Sequence, residues 1–314
     1  MAGTMKNVFM MIFAGEFIIG ILGNGFIILV NCIDWIRSWK FFLIDFILTC
    51  LAISRIFLLC IIMLGIGLDI ICKEIWYNDN QLITFEVLWT GCNYFCTICT
   101  VCLSVFYFLK IANSSNPIFF WLKRRIHRLL LIIVLGAVFY FCLSLLLKDI
   151  VFKNMIKTKV NTESNVTLNF TARKYDLLTS NIFLNMLFVI PFAVSLASFV
   201  LLIHSLWNHT RRMKGIDSGD LITEAHVRAM KFMISFLLFF FIYYLSNIII
   251  YFAYVVLDSL VAKIFANILV FSYPSGHPFL LILWNCKLKQ ASLYVLRKLK
   301  WCMNPTKPAY IKHT

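Results

Sequence analysis

Long apolar runs alternate with short polar intervals along the whole chain. Each run is near or above the roughly 20 residues that an α-helix needs to cross a hydrocarbon core. Because the polar residues concentrate in the intervals, the pattern predicts one all-α membrane domain over residues 1–314, a seven-transmembrane helix bundle without a folded soluble domain. The predicted spans are about 8–33, 41–67, 82–109, 129–147, 181–206, 230–256 and 264–285, followed by a tail over 286–314.

The third run carries a continuous line of polar side chains. From Glu86 to Tyr107 this seam is roughly 32 Å long at about 1.5 Å per residue, the thickness of a hydrocarbon core. Its members are spaced by alternate threes and fours, which places them on one helical face. They are Glu86, Thr90, Asn93, Thr97, Thr100, Ser104 and Tyr107. Polar side chains inside a membrane face other helices or a wet cavity, so we expect this helix at the centre of the bundle.

Each hydroxyl of the seam, taken alone, is most simply explained by a hydrogen bond to its own helical backbone. The functional interpretation rests on the whole line, and on its most polar end, where Glu86, Trp89 and Asn93 come together.

Composition agrees with a membrane protein, because 61% of the residues are hydrophobic and only 14% are charged. The formal net charge of +15 is compatible with nucleic acid, but its distribution argues against such a partner. If the amino terminus is outside, 19 of the 29 Lys and Arg lie in inner segments, nine lie in outer segments, and Arg55 lies within a span. The positive-inside rule therefore predicts an extracellular amino terminus and a cytoplasmic carboxyl terminus.

Glycosylation sequons test this orientation independently. Asn165 and Asn169 each begin a sequon in the long segment that is predicted to lie outside, so we expect glycan there. Asn113 and Asn208 also begin sequons, but both fall on the predicted inner side, where they are expected to be chance matches.

Most of the 11 cysteines fall within apolar runs, where free cysteine behaves as a small hydrophobe. The sequence shows no convincing metal-ligand spacing and no nucleophile with a positioned base. We therefore expect no metal, no cofactor and no enzymatic activity.

Arg55 lies near the midplane of the second span, where an arginine costs about 2.5 to 3.5 kcal/mol on the insertion scale. It therefore needs partners, and Asn24, Ser272 and His277 are best placed by depth. Two interpretations stay open. Either the arginine only ties three helices together, or its bonds rearrange when the protein changes state.

The tail begins with a segment that alternates apolar and basic residues from Lys287 to Lys300. The pattern predicts a short amphipathic cytoplasmic helix on the inner leaflet of the lipid bilayer. Cys302 at its end is either an acylation site or a plain cytosolic thiol.

Local motifs in nearly every span resemble one family of receptors. They include Gly20-Ile-Leu-Gly23-Asn24, Leu51-Ala52-Ile-Ser54-Arg55, Leu103-Ser104-Val-Phe-Tyr107, Pro191-Phe192, Thr223-Glu224-Ala225-His226, Tyr273-Pro274-Ser275-Gly-His277-Pro-Phe279 and Asn285-Cys-Lys287-Leu288. These are similar to the motifs of the type 2 bitter taste receptors, which are G-protein-coupled receptors. The match covers nearly the whole chain, and the Asp-Arg-Tyr and Asn-Pro-x-x-Tyr motifs of rhodopsin-like receptors are missing.

The resemblance implies a pocket for bitter small-molecule agonists and a docking site for a heterotrimeric G protein. In this interpretation Trp89 and Asn93 line the pocket, Tyr243 lies below them as part of a switch, and Asn267 forms the opposite wall. The expected ligand-binding set is Glu86, Trp89, Asn93, Asn185, Tyr243 and Asn267. The expected switch network is Asn24, Arg55, Ser272 and His277, and the expected G-protein-facing set is Lys110, His226, Lys231 and Asn285.

A channel or transporter for a small polar solute is the alternative, because a polar seam can also line a conduction path. Transporters tend to show internal repeats, and the sequence contains none that we recognise. The receptor hypothesis is therefore favoured.

Overall fold

A computed structural model describes residues 2–40, 42–71, 79–112, 117–160, 188–205, 207, 234–235, 238–249 and 260–303. Regular secondary structure in these ranges is α-helical. The helices are α1 (Ala2–Ser38), α2 (Leu43–Ile71), α3 (Asp79–Ile111), α4 (Pro117–Arg124), α5 (Ile126–Val160), α6 (Phe188–Ser205), α7 (Leu238–Ile249), α8 (Leu260–Trp284) and α9 (Cys286–Met303).

Six of these helices, α1, α2, α3, α5, α6 and α8, are long and apolar enough to cross a membrane. The shorter apolar helix α7 lies inside the predicted sixth span. The all-α fold class is confirmed. The helix α5 continues to Val160, beyond its candidate membrane span Ile126–Leu147 and beyond the predicted span 129–147. The apolar run ends at Leu147, but the next 13 residues contain no Gly or Pro, so nothing in their composition stops the helix.

The third helix occupies the interior, as its polar seam predicts. In α3, 72% of the spanning window is buried, against 11% in α5, which therefore presents most of its surface to lipid. α3 packs against α2, α4 and α5. An aromatic contact joins α6 to α7, where the ring of Phe192 stacks on the ring of Tyr244 at a centroid distance of 4.6 Å.

Close contact between α1 and α8 depends on two glycines. A Cβ on Gly20 would lie 3.2 Å from Cα of Ser275 in α8, and a Cβ on Gly23 would lie 3.0 Å from Cβ of Pro278 in the same helix. Both distances are shorter than ordinary van der Waals contact, so larger side chains would push the helices apart.

Asn24 uses this close approach to complete the hydrogen bonding of α8. Its Nδ2 donates to the Gly20 carbonyl at 2.8 Å and to the Pro274 carbonyl at 3.0 Å. The Pro274 carbonyl needs an outside donor, because the residue four positions later is Pro278, which has no amide hydrogen. Asn24 therefore supplies the bond that the proline removes from α8.

At the other end of the bundle, Asn285 caps α9. Its Oδ1 accepts hydrogen bonds from the backbone N–H groups of Lys287 at 3.0 Å and Leu288 at 3.2 Å. Nζ of Lys287 lies 2.7 Å from Oδ2 of Asp34 in α1 and 2.8 Å from Oδ2 of Asp45 in α2. The first turn of the amphipathic helix is thus tied to two spanning helices, and the prediction of a helix in this segment is confirmed.

Candidate functional site

The polar seam of α3 is buried from Thr90 to Ser104, and Tyr107 at its end is half-buried. The buried members are Thr90, Asn93, Thr97, Thr100 and Ser104. The hydroxyls of Thr97, Thr100 and Ser104 donate to carbonyls of their own helix at 2.8 to 3.0 Å, as expected for isolated hydroxyl residues. Asn93 and Thr100 form hydrogen bonds with side chains of other helices.

Asn93 links α3 to α7. Its Nδ2 donates to Oδ1 of Asn247 at 3.2 Å, and Nδ2 of Asn247 donates to the Tyr243 carbonyl at 2.8 Å. Both asparagines are nearly inaccessible, with 1% of Asn93 and 4% of Asn247 exposed. Oδ1 of Asn93 is buried and has no hydrogen-bond partner among the described residues.

Trp89 lies one turn from Asn93 on the same helix and is half-buried. Its indole packs against both apolar clusters of the bundle. The larger cluster surrounds α3, and the smaller one contains Phe13, Leu58, Leu59, Ile62, Val270 and Phe271. Trp89 therefore borders α1, α2 and α8 as well as the core of its own helix.

A layer of two stacked tyrosines joins α7 to α8. The rings of Tyr243 and Tyr273 are 4.2 Å apart at an interplanar angle of 22°. The Tyr273 hydroxyl accepts a hydrogen bond from Nη2 of Arg55 at 3.3 Å and lies 3.2 Å from Oγ1 of Thr100. Through this hydroxyl, α2, α3 and α8 meet at one point.

Arg55 is completely buried, and its bonded side-chain partner is Tyr273. Among the described residues its Nε and Nη1 find no hydrogen-bond acceptor. The guanidinium carbon also lies 5.1 Å from the centroid of the Tyr273 ring, within range of a cation–π interaction. The sequence pattern missed Tyr273 as a partner, although it stands four residues before His277 and so shares its helical face.

The three partners expected for Arg55, which are Asn24, Ser272 and His277, differ in the contacts that they make. Asn24 bonds to carbonyls, as described above. Ser272 is half-buried and its hydroxyl donates to the Leu269 carbonyl of its own helix at 2.8 Å. His277 is buried, with its ring centroid 5.3 Å from that of Tyr273.

The other predicted site residues are spread along the bundle. Asn267 is half-buried in α8, and Lys110 is exposed at the end of α3 with Nζ 5.3 Å from the centroid of the Phe106 ring. Glu86 belongs to α3, but its side chain lies outside the described part. Asn165, Asn169, Asn185, His226 and Lys231 also lie outside the described residues.

The described side chains of the candidate site are aromatic rings, amides, hydroxyls and one guanidinium. Within the described ranges, His, Cys, Asp and Glu side chains form no group of three or more that could hold a metal ion. What the site offers is a large aromatic surface beside an amide, with a layer of tyrosines next to them that contacts two further helices.

Comparison with known proteins gives one consistent result. The family model for "Taste receptor protein (TAS2R)" matches residues 1–300. Taste receptor type 2 member 8 of Pongo pygmaeus is 42% identical over 311 residues, covering 96% of this chain and 98% of that protein. Taste receptor type 2 member 7 of Macaca mulatta is 42% identical over 305 residues, covering 94% of each chain.

Human taste receptor type 2 member 8 is 40% identical over 307 residues, covering 94% of this chain and 97% of that protein. These matches favour the receptor hypothesis over the channel or transporter, and the family is one of receptors rather than enzymes. The chain therefore belongs to the taste receptor type 2 family, as its motifs imply.

Proposed function

We propose that agonists of this bitter taste G-protein-coupled receptor bind between Trp89 and Asn93 of α3 and the facing end of α7, in the outer half of the bundle. The observation that carries the proposal is the Asn93–Asn247 hydrogen bond beside the half-buried Trp89. A buried amide pair between two helices, bordered by a partly accessible aromatic plate, provides recognition without a charged anchor. Glu86, Asn185 and Asn267 are proposed as further residues of this pocket.

The chemistry of the pocket suits small, mildly amphipathic molecules. An indole offers apolar area and stacking, and an amide offers both hydrogen-bond donor and acceptor groups. Such a combination is typical of small-molecule sites, where few polar groups fix the orientation of a largely apolar ligand.

Signalling from this pocket is proposed to pass through the stacked tyrosines. Asn247 lies one turn from Tyr243 on α7, and Tyr243 stacks on Tyr273 of α8. Tyr273 in turn bonds to Arg55 and Thr100, so a shift of α7 changes the contacts of three other helices. An agonist that favours one arrangement of this layer shifts the equilibrium between receptor states. Asn24, Ser272 and His277 are proposed to support the same layer.

At the cytoplasmic end, we propose that a heterotrimeric G protein docks in a crevice between Lys110, the segment from His226 to Lys231, and Asn285. This requires an extracellular amino terminus and a cytoplasmic tail in the plasma membrane. The Lys and Arg distribution supports that orientation. The exposed basic side chains of α9 are also suited to anionic lipid of the inner leaflet; they are Lys289, Arg297, Lys298 and Lys300.

The test is a dose-response series for several unrelated bitter agonists on Trp89→Ala and Asn93→Ala, with surface expression measured alongside. Loss of about 80 Å2 of apolar contact at about 25 cal/mol per Å2 is about 2 kcal/mol, roughly thirtyfold in affinity. Trp89→Ala should therefore weaken nearly every agonist. Asn93→Ala should weaken only agonists with a polar group in reach, by the about 0.5 to 1.5 kcal/mol of a neutral hydrogen bond.

Trp35→Ala is the matched control, because Trp35 is an exposed tryptophan near the carboxyl end of α1, away from the proposed pocket. If both pocket variants reach the surface and respond like the parent receptor, the agonist binds elsewhere. A response that requires a co-expressed G protein, without agonist-gated current in its absence, separates a receptor from a channel.

A further inference from the structure

We infer that Asn247 fixes the side-chain amide of Asn93 so that the pocket presents a hydrogen-bond acceptor, and that the receptor consequently selects agonists carrying an N–H or O–H donor. The inference rests on the proposed pocket and adds the chemical class of ligand that it favours. It also assigns Asn247 as a positioning residue for specificity.

A backbone carbonyl of α7 sets the orientation of the Asn247 side chain. One of its two terminal atoms lies 2.8 Å from the Tyr243 carbonyl oxygen, which can only accept a hydrogen bond. The atom facing that carbonyl must therefore be the Nδ2 amide nitrogen. Because the two terminal atoms of an amide point in different directions, the Oδ1 oxygen of Asn247 is left facing α3.

The orientation of Asn247 in turn determines the orientation of the Asn93 amide. Its nearest terminal atom lies 3.2 Å from Oδ1 of Asn247. Two amide oxygens at this distance would repel each other, so Asn93 must present its Nδ2. The backbone carbonyl of one α7 residue thereby sets the direction of both amides, and the orientation follows from hydrogen-bond chemistry alone.

The Oδ1 oxygen of Asn93 is the group that remains for a ligand. The amide nitrogen of Asn93 is engaged by Asn247, whereas its Oδ1 is buried without a partner among the described residues. A buried acceptor without a donor is unfavourable, and a ligand donor that reaches it meets little competition from water. In this proposal the agonist approaches past the half-buried Trp89, which lies one turn away.

Ligand selectivity follows from this arrangement. A phenol, alcohol, amine or secondary amide can donate to Oδ1 of Asn93, while an ether, ester or tertiary amide places a lone pair or a methyl group against it. An Asn93 without Asn247 could rotate its amide and serve either class, so donor selectivity depends on the pair rather than on Asn93 alone.

The experiment compares agonists in matched pairs that differ by one methyl group on the donor. Theophylline and caffeine differ by a methyl on one ring nitrogen, and 7-hydroxycoumarin and its methyl ether differ by a methyl on the phenol oxygen, which carries the only donor hydrogen of the parent compound. These pairs are tested within a wider panel of bitter phenols and secondary amides and their methylated forms. The measured quantity is the ratio of half-maximal concentrations within each pair, with surface expression as a covariate.

In the parent receptor, the methylated member should require about tenfold more compound, the effect of one good hydrogen bond. Asn247→Ala should reduce this ratio to about one, because Asn93 is then free to rotate. Asn93→Ala should do the same by removing the acceptor, and it provides a second route if Asn247→Ala reaches the surface poorly. Ser246→Ala is the matched control, because Ser246 is a buried neighbour on α7 whose hydroxyl bonds to the Ile242 carbonyl of its own helix.

Equal potency of both members in the parent receptor would overturn the inference, and so would a ratio that survives in both asparagine variants. A Trp89→Ala variant that weakens agonists while the ratios stay near one would leave the proposed pocket intact and reject only the donor selectivity. A parent receptor that responds to no compound of the panel would instead contradict the proposed function itself.

Discussion

Nη2 of Arg55 donates a hydrogen bond to the hydroxyl of Tyr273 at 3.3 Å, so a fully buried charge on α2 is held by a phenol on α8. The phenol oxygen also lies 3.2 Å from Oγ1 of Thr100, and the phenol ring lies 5.1 Å from the guanidinium carbon. A buried charge without a carboxylate depends strongly on such contacts, because the alternative is an unsatisfied ion in a medium of low polarity.

Tyr273→Phe should therefore destabilise the receptor while keeping the ring contacts. The hydroxyl bonds to a charged donor, and such a hydrogen bond contributes about 1.5 to 3 kcal/mol. Thermal unfolding of the purified receptor in detergent measures the effect, with Tyr294→Phe on exposed α9 as the matched control. Unfolding of Tyr273→Phe at the parent temperature would show that the hydroxyl does not hold the arginine.

Arg55→Ala should lower surface expression or agonist response.

Sequence reasoning identified the need of Arg55 for partners but not the partner itself. Position along the helix gives the depth of a residue in the membrane, and several polar residues share the depth of Arg55. The rotation of α8 about its axis decides which of them faces α2. That rotation is set by packing, in particular by Gly20 and Gly23 of α1 against α8, and no periodicity in α8 alone encodes it.

The candidate site likewise contains residues that can be recognised from sequence spacing and residues that cannot. The seam of α3 could be recognised from spacing alone, because its members repeat on one face of a single helix. Asn247 could not, because it is one amide in an aromatic-rich segment and its importance comes from the α3 residue opposite. Likewise, Pro278 frees the Pro274 carbonyl within α8, but no pattern in α8 shows that Asn24 of α1 supplies the missing donor.

Asn24 and Pro278 should be energetically coupled. Asn24→Ala leaves the Pro274 carbonyl buried without a donor, at a cost of about 1 to 3 kcal/mol. Pro278→Ala restores a backbone N–H for the same carbonyl, so the loss caused by Asn24→Ala should be smaller in the Pro278→Ala background. A double-mutant cycle on thermal stability measures the coupling.

Asn31→Ala is the control for this cycle, because Asn31 lies on the same helix and its Nδ2 bonds to the Asp45 carbonyl and to Thr49. Its effect should simply add to that of Pro278→Ala. Additivity of Asn24→Ala as well would mean that Asn24 does not compensate for the proline.

Lys287 should anchor α9, and its contribution to stability should not change with pH within the physiological range. Burial of its ammonium lowers the pKa, but hydrogen bonds and charge attraction from Asp34 and Asp45 outweigh this effect and leave the pKa of Lys287 raised. A lysine whose folded-state pKa lies above the usual value of about 10.4 contributes stability that is fully present below about pH 10.4 and is lost as the pH rises through the folded value.

Lys287→Met should accordingly lower stability by about 1 kcal/mol, given the partial exposure of the ion pairs, and by the same amount at about pH 6 and about pH 9. The readout is thermal unfolding at the two pH values. Lys289→Met is the matched control, since Lys289 is exposed two residues later on the same helix. A loss equal to that of the control would assign no anchoring role to the two aspartates.

Glycan should occur on Asn165 or Asn169 and not on Asn113 or Asn208. The first two sequons lie in a segment that the charge distribution places outside, where the glycosylation machinery acts. The measurement is the glycosidase-sensitive mass shift of single and paired Asn→Gln variants. A shift that survives Asn165→Gln combined with Asn169→Gln but disappears with Asn208→Gln would invert the topology, and with it the proposed receptor orientation.

Asn285 permits a test that separates helix capping from direct contact with a G protein. Its Oδ1 accepts the first backbone N–H groups of α9, and replacing such a cap by Ala costs about 0.5 to 2 kcal/mol. Aspartate is as good a cap as asparagine, and its charge is favourable at a helix amino terminus. If Asn285 acts by holding α9, Asn285→Asp should preserve stability and G-protein activation while Asn285→Ala reduces both. If it contacts the G protein directly, the new negative charge should impair activation in Asn285→Asp although thermal stability is retained. Measuring unfolding temperature and agonist-stimulated nucleotide exchange on the same two variants distinguishes these outcomes.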